Sequence, residues 1–245
     1  AMLVPTDPSY PAVQERRFAR VGEAVPKLRV GMVPVSVTDQ TPGSVTWLDL
    51  QPPTPDFYLG QVEWVGAQQQ VLVEILSRFR DQREFWLFDI PSGESTCLFK
   101  EANDAWAVAS QGRNLGLIWV AQHQRFIVIS EKAGWRQAYL YDRQGSEIAV
   151  LTPGTYDIIE RVGVDPGEEW FYFYASPDNA TQKYLYRVPL FGQGELQRIT
   201  PMEQSGTHNY QFSPDWKWAF HTYSDFDTPP VTELIELATH RSVRM

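Results

Sequence analysis

His208, His221, Asp225 and Asp227 gather near the C-terminal end of the chain, and Glu168 stands beside Glu169. The first group has the residue types of a metal site, but its spacing fits no ligand pattern and its histidines fall on separate strands at hairpin positions. No metal and no cofactor is therefore expected. Glu168 and Glu169 close the polar run Asp165-Pro166-Gly167-Glu168-Glu169, which reads as a solvated hairpin tip. Serine, histidine and aspartate are all present, yet no Gly-x-Ser-x-Gly elbow occurs to activate a serine. No catalytic residue is assigned. Cys97 is the single cysteine, which excludes an intrachain disulfide and a cysteine cluster, and its strand setting predicts a buried, inert thiol. Ser213-Pro214-Asp215 lacks the later glycine of an Asp box, and Asn179-Ala180-Thr181 is a glycosylation sequon only in a secreted eukaryotic protein.

The bulk composition narrows the partners. A net charge of −9 and a pI near 5.0 supply no basic field for nucleic acid. No apolar run reaches the length of a membrane span, and the amino terminus carries no signal peptide, which leaves cytoplasm or periplasm open. Nine Trp and eleven Tyr suit wide sheets stacked face to face.

The elements that must position these residues repeat. Four polar turns, Gly66-Ala67-Gln68-Gln69, Ala121-Gln122-His123-Gln124, Asp165-Pro166-Gly167-Glu168 and Ser213-Pro214-Asp215-Trp216, are each followed at a near-constant distance by a strand quartet. The quartets are Trp86-Leu87-Phe88-Asp89, Tyr139-Leu140-Tyr141-Asp142, Tyr184-Leu185-Tyr186-Arg187 and Glu233-Leu234-Ile235-Glu236, recurring at the period of a four-stranded propeller blade. The fold class is all-β, a partial β-propeller of about four and a half four-stranded blades. Residues 1–25, with Pro5, Pro8 and Pro11, read as an extended arm rather than a strand layer. The propeller runs over 26–245, with a half blade at about 28–50 and blades at about 58–99, 115–151, 158–199 and 209–243.

Several ordered segments resemble the amino-terminal propeller of dipeptidyl peptidase IV-like serine peptidases, in the prolyl oligopeptidase clan. They include Ala24-Val25-Pro26-Lys27-Leu28-Arg29-Val30-Gly31, Ser130-Glu131-Lys132-Ala133-Gly134-Trp135-Arg136, Leu151-Thr152-Pro153-Gly154-Thr155-Tyr156-Asp157, Phe212-Ser213-Pro214-Asp215 and Thr228-Pro229-Pro230-Val231. The resemblance runs from Tyr10 onward and implies the second half of that propeller. In the family the propeller admits only short peptides, while an α/β-hydrolase domain does the chemistry. The resemblance also implies that the glutamate pair holding the substrate's amino terminus lies upstream of Tyr10, and that the hydrolase domain begins near the end of these residues. Within the loop 106–116, which in the family faces the substrate, Arg113 and Asn114 are the candidate substrate-binding residues.

The reading that follows is a non-catalytic propeller segment, inactive alone, that gates peptide access and supports a hydrolase domain absent from this chain. Its partners are that domain, short peptides and a second copy of the chain, because an open arc of blades exposes apolar faces. The arm 1–25 is the other available cover. A free-standing propeller-like module that self-associates and binds a peptide or protein is the alternative, and an enzyme with its own carboxylate site in the channel is a third.

Overall fold

The computed structural model describes residues 2–5, 13–16, 21–35, 43–66, 69–107, 116–192 and 194–243. Among these the regular elements are strands alone. The chain opens with β1 (Met2–Pro5) and β2 (Val13–Arg16), then β3 (Gly31–Met32) and β4 (Thr46–Trp47). A first four-stranded sheet follows, β5 (Phe57–Val65), β6 (Gln70–Ser77), β7 (Gln82–Asp89) and β8 (Ser95–Ala102). The second is β9 (Leu117–Val120), β10 (Arg125–Ser130), β11 (Gln137–Asp142) and β12 (Glu147–Val150). The third is β13 (Ile158–Val164), β14 (Trp170–Ala175), β15 (Tyr184–Pro189) and β16 (Gln197–Arg198). The last is β17 (Thr207–Phe212), β18 (Trp218–Ser224), β19 (Val231–Glu236) and β20 (Arg241–Val243). Each sheet is a meander of antiparallel chain neighbours.

The sheets stack in chain order, and side chains show why. Interior strands read as apolar runs, Phe171 to Ala175 throughout and Val71 to Leu76 broken only by Glu74, because a neighbouring sheet covers each face. Val30, Met32 and Leu48 pack on Val71, Val73 and Ile75. The other faces of β6 and β7, with Leu72 and Phe85, meet Phe126, Tyr139 and Tyr141 of the second sheet. Ile127, Ile129 and Leu140 then face Phe171, Phe173 and Tyr186, and Tyr172, Tyr174 and Leu185 face Tyr210 and Ile235. Four such sheets and one leading strand pair make a partial β-propeller.

Two readings change. The segment 1–25 contains a strand pair, Met2 opposite Arg16 through Pro5 opposite Val13. Pro5 stands at the end of that ladder, where its missing N–H interrupts no interior bond. The third-unit quartet is also displaced. The amides of Ile90, Leu190 and Leu237 donate to the carbonyls of Gln69, Glu169 and Lys217, which marks equivalent positions. On that register Tyr184 sits two residues earlier in its strand than Trp86 or Tyr139 in theirs. A slip of two preserves the face, so all three rings still turn toward the preceding sheet.

Candidate functional site

The loop between the first and second sheets is rooted in a buried polar cluster. At its start the amide of Ala107 donates to Arg80 O at 2.8 Å, and Ala107 packs on Leu76, while Trp106 is exposed. At its end Gly116 takes a φ of +76°, and its carbonyl accepts from Arg161 Nη1 at 3.1 Å. Gln61 clasps the next residue, donating from Nε2 to Leu117 O at 3.2 Å and accepting Leu117 N on Oε1 at 2.7 Å. First strands of three successive sheets, β5, β9 and β13, therefore meet at this root. Arg113 and Asn114, the sequence candidates, lie outside the described residues.

Local backbone irregularity makes the cluster. β5 carries a bulge between Leu59 and Val62, and a Cβ at Gly60 would run into the Glu74 carboxylate. The glycine lets that carboxylate tuck against the strand, where Oε2 accepts Gln61 N at 3.0 Å. Glu74 is buried, and its Oε1 has no hydrogen-bond partner among the described residues. β13 is bulged on both sides of Arg161. Burial pulls the Arg161 guanidinium down to about 10, opposed by the nearby Glu74 and Glu63 carboxylates and reinforced by Arg83. It stays charged at neutral pH. Behind it, Arg83 Nη2 donates to Glu101 and to Ile129 O, both at 2.8 Å, tying the first sheet to the second. Such a root can fix a loop and present a buried acceptor beside a cation.

Other residues weighed from the sequence are distributed differently. His208 and His221 come together, with Nδ1 of the first 2.9 Å from Nε2 of the second. Asp225 and Asp227 do not join them, since Asp225 Oδ1 accepts the amides of Asp227 and Thr228 in its own turn. Among the described residues no group of three or more His, Cys, Asp or Glu is arranged for a metal. Glu168 is more than a solvated tip: its Oε2 accepts Ala121 N at 2.7 Å, pinning one hairpin to the hairpin of the previous sheet, while Glu169 is exposed. Cys97 is half-buried rather than buried, and burial raises its pKa, which keeps it a thiol. Gln61, Glu74 and Arg161 escaped the sequence reading. Glu74 carried a signal, as the one charge inside the apolar run Val71 to Leu76.

A stack of four-stranded meanders with loops rooted on their first strands defines a scaffold of the propeller class. The family model for the dipeptidyl peptidase IV N-terminal region matches residues 2–230. An Aspergillus fumigatus relative named "Probable dipeptidyl peptidase 4" is 24% identical over 199 residues, covering 80% of this chain and 25% of its own length. The dipeptidyl peptidase 4 of Trichophyton rubrum is 23% identical over 186 residues, covering 74% of this chain and 23% of its own. The crystal structure of Porphyromonas gingivalis dipeptidyl peptidase 4 superposes with a TM-score of 0.79 at 20% identity, over 99% of this chain and 33% of that one. The chain belongs to the dipeptidyl peptidase IV N-terminal region family, and it spans about a quarter of the length of these curated relatives.

Proposed function

We propose that these residues form the non-catalytic propeller segment of a dipeptidyl peptidase IV-like serine peptidase, screening peptides and supporting an α/β-hydrolase domain that the 245 residues do not include. The observation that carries this reading is the family match across 2–230. The flanks of 108–115 support it, because Ala107 and Leu117 are both hydrogen-bonded to the first sheet, and fixed flanks lower the entropic cost of a binding contact made between them. In this reading Arg113 and Asn114 donate to the carbonyl oxygens of a short peptide.

NMR titration of the chain with short, amino-terminally free peptides tests the reading. Amide shifts are expected at Gln61, Gly116 and Leu117, and Arg113→Ala should weaken the binding about tenfold, the loss of one charge-assisted hydrogen bond. Equal binding by the variant, or shifts confined to another sheet, would sink the assignment. A second reading, a module that self-associates, is favoured by one observation: the outer face of the last sheet leaves Trp218 and Phe220 exposed.

A further inference from the structure

Where the third and fourth sheets meet, the rings of His208, His221 and Tyr210 form a column, flanked at the His208 end by Tyr184 from the start of β15, with centroids 5.6, 5.1 and 4.5 Å apart in the order Tyr184, His208, His221, Tyr210. Both histidines are fully buried. His208 Nδ1 lies 2.9 Å from His221 Nε2, and His221 Nδ1 lies 3.1 Å from Glu233 Oε1. The carboxylate fixes the tautomers. Ionised Glu233 only accepts, so His221 carries its proton on Nδ1 and accepts on Nε2 from His208 Nδ1–H. His208 Nε2 is then left buried, and among the described residues no well-aligned hydrogen bond reaches it. Any further proton on the pair must go there.

The surroundings oppose that proton on balance, with the Ser205 backbone alone favouring it. Tyr174 and Tyr184 from β14 and β15 and Tyr223 from β18 are neutral, and Arg198 from β16 sits 3.6 Å over the Tyr184 ring. His240, from the β19–β20 turn, crosses His221 edge-on at 4.8 Å and shares a hydrogen bond with Tyr210. Glu233 is the anion at the far end of the chain, and Glu203 acts on His240 rather than His208. The column also sits beside the backbone tie between the two sheets, where His208 N donates to Lys183 O at 3.0 Å and Lys183 N to Gly206 O at 3.1 Å.

We propose that this column is an acid-sensitive latch, in which proton uptake by the His208–His221 pair opens the seam and frees the β17–β20 sheet from its neighbour. Burial, with the adjacent His221, pulls His208 down to about 4. Burial likewise lowers His221, against the pull of Glu233, and lowers His240. An opened seam restores the ordinary value of 6.5, so the open state binds more protons. Closure is therefore complete above about pH 6.5 and weakens as pH falls toward about 4. Each proton taken up raises the open population about tenfold per pH unit, about a hundredfold for the pair.

Hydrogen exchange of the full 245-residue chain between about pH 7.5 and 5, corrected for intrinsic rates, reads this directly. Protection in Thr207–Phe212 and Trp218–Ser224 should collapse with acid well before that of Arg125–Ser130. His208→Phe with His221→Phe keeps a ring at each place and should abolish the selective loss, while His240→Gln should leave it. Selective loss that persists in the double variant, or that vanishes in His240→Gln, overturns the latch. Imidazole nitrogen NMR of the unmodified chain gives an answer independent of any variant's folding. A His208 still neutral with Nε2 bare at pH 5.5 supports the latch, and a midpoint near the ordinary 6.5 overturns it.

Discussion

Tyr139 and Tyr186 both turn toward the preceding sheet, and two different substitutions test the ring and its hydroxyl separately. Tyr139 is 1% exposed among Phe126, Phe85 and Leu117, so Tyr139→Ala should cost about 3–5 kcal/mol by loss of transfer energy and creation of a cavity. The Tyr186 hydroxyl is buried with no hydrogen-bond partner among the described residues. Tyr186→Phe removes an unpaired polar atom and keeps the ring, so stability should be unchanged or rise by up to about 1 kcal/mol. Urea titration checks both, and a loss of more than about 1 kcal/mol for Tyr186→Phe would mean that the hydroxyl is satisfied. The repeat predicts burial for Trp86, Tyr139 and Tyr184: Tyr139 and Tyr184 are buried, since face parity survives the two-residue displacement of Tyr184, while Trp86 is only half-buried. The contact between His208 and His221 was not legible in the sequence. It is a diagonal pair across β17 and β18, and it emerges only by counting outward from the Ser213–Lys217 turn, through Phe212 opposite Ala219 and Tyr210 opposite His221.

At the level of strands and turns, polar turn residues and apolar runs marked where the chain would reverse. They did not show which turns touch a neighbouring sheet. The hairpin joining β11 and β12 is one that does: Gly145 has a φ of +86°, and a Cβ there would run into the Leu98 carbonyl oxygen of β8. Backbone cannot yield as a flexible side chain would, so Gly145→Ala should cost about 1–3 kcal/mol. Gly93, at φ +75° with open space around it, is the control, and Gly93→Ala should cost only the left-handed backbone term of about 1 kcal/mol. Equal losses in thermal or chemical denaturation would show that strain alone, and not the approach of the first sheet to the second, sets the cost. The bulges at Gly60 and around Arg161 were hidden for a related reason. A bulge is decided by what must fit beneath it, here the Glu74 carboxylate, and not by the propensity of its own residues.

For the whole molecule, each interior sheet is covered on both faces by its chain neighbours, while the last is covered on one. Ala219, His221 and Ile235 point into the seam with the third sheet. On the other face, Gln211, Phe220, Leu234 and Val243 stand opposite one another across all four strands, with Trp218 alongside. Trp218, Phe220 and Val243 are each exposed by 40% or more. An exposed face carrying Trp218, Phe220 and Val243 together marks a contact face, because leaving it wet forfeits about 25 cal/mol for every Å² that a partner would cover. In the chain as it stands, the simplest complement is a second copy, which brings the same face to the same place by two-fold symmetry. Sedimentation equilibrium should therefore show a concentration-dependent dimer at tens of micromolar. Phe220→Asp should return it to monomer without loss of β structure, since the side chain lies outside the core. A monomer for the unmodified chain across that range would overturn the pairing, and a dimer that survives Phe220→Asp would move the interface to another face.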